Sequence, residues 1–429
     1  MIAVLALLRY GAPASSGPRG IVIFDSNPDH IWNRTYSCLF VRDGRDGIEY
    51  GSDTVDPLLW PQTQYLLTGK SHERALACLD SFLRSHADRA IVDPLRRVIL
   101  QHDLWAVFDW AASQDDDGFR KQRRELETRL SEAIRRLALT TEQIRTLPDT
   151  YEASVAARAF APAYNSQNQR QPFLPRDLLR PDSPWVCLSA WSEQPTAIVH
   201  FTGRSRFLVF MKLPEGRNTT LAYISKLQSS YAPLIRNDSG LVFLNLTLPQ
   251  FPVGTEVALL RQIIALDTEG HLVPTRLTES VQLRVYHTIT PGTKYMNYID
   301  GPSSHDQDFF EFQMRRMQLF AGQDGGLIAV APNQTEFATF STHGFDPLDE
   351  SSPLKGQGFI LERCPACHSD SGIHSVQSRV QWMQRQSNGK GRKANPNTDS
   401  AVWETNVTAL FKENQPDFKL LKNLWKIRE

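Results

Sequence analysis

The sequence predicts an α+β fold, and three observations predict it. Apolar residues recur with a helical period between residues 71 and 138. Short runs that alternate apolar with polar side chains, separated by turn signals, occupy residues 185–345. Nowhere does strand alternate with helix as a dinucleotide-binding unit requires. The expected arrangement is a mainly helical N-terminal domain over 18–160 and a linker over 161–184. An antiparallel β domain, sandwich or barrel, then covers 185–345, and a C-terminal segment with terminal helices covers 346–429.

Residues 2–8 are apolar, Arg9 follows, and Ala12, Pro13 and Ala14 offer a small-residue cleavage site. Residues 1–17 thus read either as a truncated secretory signal peptide without its charged leading segment or as a buried strand. Residues 21–24 and 38–41 read as short strands. From residue 71 the stripe Ala75, Leu76, Leu79, Phe82, Leu83 predicts a helix with Ser71 as N-cap. Asp93-Pro94 predicts the start of a second helix, running to Trp110. Its apolar residues cover more than one face, so it is expected to be central and buried, with His102 a hydrogen-bonded core histidine. A third helix is expected over 119–138, with Leu126, Leu130, Ala133, Ile134 and Leu137 inward and its charges in solvated i, i+4 pairs.

Five prolines between 162 and 184 mark the linker. Strands are expected over 206–213, 241–246 and 257–266, followed by a turn at 267–270. Val281, Leu283 and Val285 alternate with polar neighbours as in a half-buried strand, as do Phe310, Phe312 and Met314. A hairpin turn at 321–326 precedes a strand at 327–330. Residues 387–400 read as a loop, and helical spacing returns after Pro416 with Phe418, Leu421 and Trp425.

Composition removes several function classes. The chain has 47 basic and 47 acidic side chains, so it lacks the cationic excess of a nucleic-acid binder. Charged residues make up 22% and no apolar run reaches the roughly 18 residues of a spanning helix, so no transmembrane segment is expected. Five cysteines in 429 residues are too few for a disulfide scaffold, and the odd count leaves at least one unpaired. Cys38, Cys78 and Cys187 fall in helical or strand-like runs, where burial as small hydrophobes is the simplest account. Nucleophile-elbow, P-loop and HExxH patterns are absent.

One motif carries chemistry. Cys364, Cys367 and His368 form C-x-x-C-H. At random placement this spacing arises in about one chain in 700, which argues against coincidence. It resembles the haem-attachment motif of c-type cytochromes. That resemblance implies a covalent haem c with thioethers at Cys364 and Cys367, and His368 as proximal iron ligand. It further implies electron transfer outside the cytoplasm, periplasmic or extracellular, to a redox partner that no residue identifies. A distal ligand would come from Met383, His343 or His305, or from Met314 or Met317. An iron left five-coordinate would instead bind small ligands or peroxide. Zinc is the alternative, with Cys364, Cys367, His368 and His374 as its four ligands in a non-enzymatic binding or structural protein. A redox dithiol and a purely structural thiol pair are the remaining readings. The run Pro172 to Leu178, Trp185-Val186, and Gly372-Ile373-His374-Ser375 after the motif resemble a family of uncharacterised bacterial secreted proteins. This second resemblance implies an exported bacterial setting and no activity.

Overall fold

The computed structural model describes residues 21–43, 49–51, 53, 64–113, 117–188, 195–197, 203–229, 234–236, 242–244, 248–289, 306–331, 338–340, 357–359, 368, 371–377 and 400–426. The signal-like residues 1–17 and the loop 387–399 lie outside the described residues.

Helix α1 (Ile31–Phe40) replaces the strand expected at 38–41. Trp32, Tyr36, Leu39 and Phe40 recur at helical spacing and are all buried. The run 21–24 also forms no strand. The side chain of buried Asn33 takes over the work of a partner strand there. It accepts from Phe24 N at 2.8 Å and donates to the carbonyls of Asp25 and Asn27 at 2.7 and 2.8 Å. A two-strand ribbon, β1 (Arg42–Asp43) with β2 (Glu49–Tyr50), follows.

Helix α2 (Gly69–Arg84) starts two residues before the expected Ser71, with Thr68 as its N-cap residue. The Ser71 hydroxyl instead donates to the Thr68 carbonyl at 2.9 Å. Cys38 of α1 and Cys78 of α2 form a disulfide with Cα atoms 6.7 Å apart. They were expected to be separate buried thiols; the packing of α1 on α2 brings them together, which spacing 40 residues apart does not disclose. Cys187 forms no disulfide among the described residues.

Helix α3 (Pro94–Ala112) begins as expected, with the Asp93 carboxylate accepting from Leu95 N at 2.9 Å. It is buried throughout from Val98 to Ala111, polar residues included. Helix α4 (Arg120–Leu137) presents its apolar stripe inward, and Glu132 pairs with Arg135 and Arg136 at 3.0 and 2.7 Å. Two short capped helices, α5 (Thr141–Arg145) and α6 (Thr150–Ala157), lead into the proline-rich stretch. That stretch places Phe173, Leu174 and Leu178 in the main core.

The β region is one antiparallel sheet of six strands in the order β10-β9-β8-β7-β4-β3. Its members are β3 (Val186–Leu188), β4 (Ser205–Lys212), β7 (Glu256–Leu266), β8 (Leu272–Tyr286), β9 (Gln307–Met314) and β10 (Leu327–Ala329). Helix α7 (Arg217–Ser229) and a small pair, β5 (Leu234–Arg236) with β6 (Val242–Leu244), intervene before β7. Strands β11 (Ala338–Phe340) and β12 (Gln357–Phe359) form another pair. The α+β class stands. Among the described residues, helices rather than a second sheet cover the main sheet, which ends in open edges at β3 and β10. The β7–β8 turn at 267–270 is as expected: the Asp267 carboxylate accepts from the backbone of Glu269 and His271, and Gly270 supplies the positive φ of 75°.

Both sheet faces are covered. One carries Leu208, Phe210, Leu260, Leu283 and Phe312 into the helical core. The other carries Phe207, Val209, Met211 and Val257 against Tyr223 and Leu227 of α7, with Phe251 and Ile373. Strand β8 is therefore not half-buried as its alternation suggests, since Gln282 and Arg284 are buried too.

Helix α3 reaches the sheet through its polar residues. The Gln101 amide pairs with both backbone groups of Leu266, at 3.0 and 2.9 Å. His102 fulfils its core expectation by donating from Nε2 to Glu279 at 2.8 Å. A β-bulge makes this possible, because Arg261 opposes Ser280 and Gln262 opposes Thr278, leaving Glu279 as the extra residue. Burial alone would raise the Glu279 carboxyl. Arg261, His102 and the Ser205 hydroxyl outweigh it and hold the group well below the usual range. A depressed carboxyl contributes stability above its ordinary value of about 4.3 and loses it as pH falls through the folded-state value. Glu279→Gln is thus expected to flatten the decline in stability below about pH 4. Urea titrations across acid pH test this, and curves of equal steepness for the two proteins would refute it.

Candidate metal-ligand site

Cys364 and Cys367 lie outside the described residues, as do His305, His343 and Met383. His368 and His374 are described, and they sit against the second sheet face at the junction of β8 and β9.

The chain after the motif turns at Gly372, whose φ is 55°. A Cβ there would stand 2.1 Å from Gln250 Oε1, so only glycine fits beneath that amide. The same Gln250 oxygen accepts from Ile373 N at 2.7 Å and so fixes the start of the one-turn helix Ile373–Gln377. Ile373 is fully buried in the apolar cluster under α7 and anchors that turn on the sheet.

Ser375 is the hub. Its hydroxyl donates to Gly372 O at 2.9 Å, which leaves Tyr286 OH as donor to Ser375 Oγ at 2.6 Å. Burial raises the Tyr286 phenol and keeps it protonated. The Ser375 carbonyl lies 2.8 Å from His368 Nδ1. A carbonyl can only accept, so Nδ1 bears the hydrogen, and it is Nε2 that carries the lone pair whenever the ring is neutral. Gln307, the first residue of β9, donates to the His368 carbonyl at 2.6 Å. The half-buried imidazole is thus held at its ring and at its backbone by separate elements.

His374 is 5% exposed, and its buried Nδ1 has no hydrogen-bond partner among the described residues. Burial lowers its pKa, so the ring is neutral and can offer a lone pair. Among the described residues no three His, Cys, Asp or Glu side chains gather within reach of one ion.

The structure places two of the upstream distal candidates away from His368. Met314 is seven residues along β9 from Gln307, roughly 23 Å at about 3.3 Å per residue. It also points into the helical core, on the sheet face opposite Gln307. Met317 is exposed beyond that strand, in the short helix α8 (Arg316–Phe320).

Gln250, Arg284, Tyr286, Gln307 and Ser375 hold the site, and none carries a sequence signal of its own. Gln282, Arg284 and Tyr286 occupy the polar positions of an alternating strand, which a linear reading assigns to solvent. Their burial was the available clue, and only the folded chain supplies it.

No family model, no curated protein and no solved structure matches this chain. No described helix is long and apolar enough to cross a membrane.

Proposed function

We propose that this chain is an exported bacterial protein, periplasmic or extracellular, that carries one covalent haem c and works in electron transfer. Cys364 and Cys367 would form the thioethers and His368 would be the proximal ligand, through Nε2. The observation that carries this reading is the hydrogen bond from His368 Nδ1 to the Ser375 carbonyl. Metal-bound imidazoles almost always donate their second nitrogen to such an acceptor, which fixes the tautomer and raises the basicity of the ligating nitrogen. The bound haem supplies a centre that gains and loses one electron. The chain's own residues orient the ligand: Gln307 and Ser375 hold His368, and Gln250 holds the turn that presents Ser375. The Cys38–Cys78 disulfide supports an oxidising compartment, where such haem attachment takes place and cytosolic reductants are absent.

Expression with the cytochrome c maturation machinery tests the reading. A denaturing gel of the wild type is expected to stain for haem, and Cys364→Ser with Cys367→Ser to abolish the stain completely. A colourless wild-type band would sink the proposal.

The buried, neutral Nδ1 of His374, without a partner among the described residues, favours a second reading, in which Cys364, Cys367, His368 and His374 hold zinc in a non-enzymatic binding or structural protein. Stoichiometric zinc in the purified colourless protein would support it.

A further inference from the structure

We infer that Arg284 is a positioning residue that raises the reduction potential of the centre held by His368; the inference rests on the haem reading above. Arg284 lies on β8 opposite Phe309 of β9 and Val257 of β7, on the face that carries Tyr286 and Gln307. It is 5% exposed. Among the described residues no carboxylate stands within ion-pair reach of it. Its guanidinium meets Ser375 O at 3.5 Å, Ser375 Oγ at 3.4 Å and the Tyr286 ring at 5.8 Å from its centroid. These are long for a charge-assisted hydrogen bond, which normally spans about 2.7–2.9 Å. In this buried, low-dielectric setting the field of the charge is screened less than it would be in water.

That field falls on the ligand. The Ser375 carbonyl is shared: it accepts from His368 Nδ1 and faces Arg284 Nη1. The cation is therefore within two hydrogen bonds of the ring that ligates the metal. Two effects act in the same direction. A fixed positive charge destabilises the oxidised centre, which carries one more positive charge, relative to the reduced one. Withdrawal of electron density from the shared carbonyl weakens the pull on Nδ1–H, so Nε2 donates less to the metal. Both favour the reduced form and raise the midpoint.

The test is spectroelectrochemistry on the haem-loaded full chain. Arg284→Gln is expected to shift the oxidised-to-reduced ratio about tenfold towards oxidised at fixed ambient potential, a fall of about 59 mV for one electron. Arg284→Lys keeps the charge and is expected to keep the wild-type midpoint. Arg284→Met, which suits an apolar slot, provides the neutral variant should Gln disturb folding, and circular dichroism checks each protein. An unchanged midpoint in the neutral variants overturns the inference while leaving the haem reading intact. An equal fall in Arg284→Lys also overturns it, because packing rather than charge would then be responsible. A wild-type protein without covalent haem overturns both, and the gel stain identifies that case.

Discussion

Lys412→Met lowers the free energy of unfolding by roughly 3–5 kcal/mol, the range for breaking a buried ion pair from one side. Lys412 lies in the C-terminal helix Ser400–Glu413 and is 1% exposed. Its ammonium donates to Asp109 at 2.8 Å and to Asp417 at 2.6 Å, and it stands 5.5 Å from the centre of the Trp105 ring. Asp109 belongs to the buried face of α3 and also accepts from Arg204 at 2.9 Å. Three distant parts of the chain thus meet at one carboxylate. Burial already pushes Asp109 up, and Asp417 adds to this, while Lys412 and Arg204 pull it down. Removing the ammonium leaves two carboxylates facing each other in a poorly hydrated pocket, so Asp109 rises further. A carboxyl raised in the folded state costs most above its folded pKa, and the cost vanishes once pH falls below the unfolded value of about 3.9. The deficit of Lys412→Met is therefore expected to shrink as the solution is acidified, and adding Asp109→Asn is expected to recover part of it at neutral pH. Guanidinium titrations of the two single variants and the double variant measure both effects. Additive losses would show that the two groups do not act as a pair.

Loss of the Cys38–Cys78 bridge is expected to cost a comparable amount. The bridge closes a separation of 40 residues, and loop entropy for that length corresponds to about 4 kcal/mol at 25 °C. Measured native bridges scatter around such values, from about 2 to 5 kcal/mol. Cys38→Ala with Cys78→Ala is expected to lower the denaturation midpoint accordingly, and reductant is expected to do the same to the wild type. A reduced wild type as stable as the oxidised protein would show that the bridge adds nothing. The effect acts mainly on the unfolded chain, so it is independent of the Asp109 cluster and the two losses should add.

Much of the helical half was legible in the sequence. Asp93-Pro94 marked the start of α3 and the stripe from Leu126 to Leu137 marked α4, because caps and periodicity are local properties. Five strands of the main sheet were legible for the same reason, as was the turn at Asp267, whereas the three-residue edge strand β3 was too short to show a period. Helix α1 was missed because Cys38, Leu39, Phe40 and Val41 form a short apolar run at its end that reads as a strand. Its helical period emerges only when Trp32 and Tyr36 are counted with them. Helix α7 was missed because its Thr, Tyr and Ile residues weigh towards strand while its contact with β3 and β4 decides for helix. Buried polar residues were the general blind spot. Arg284, Gln307 and Lys412 look like solvent-facing residues until their partners from distant segments arrive.

The sequence by itself determined the α+β class, the principal helices and most sheet strands, and a C-x-x-C-H spacing open to haem, zinc or thiol chemistry. These follow from neighbours within a few positions, where backbone propensity and side-chain period act. Tertiary structure alone decided that Cys38 meets Cys78, that Ser375 orients His368, and that buried Arg284 meets Ser375. Two of these contacts join residues 40 or more positions apart, the third depends on the turn at Gly372, and the energy of all three depends on burial. Burial is a property of the folded chain, and it gives a charge or a hydrogen bond the strength that water would otherwise screen.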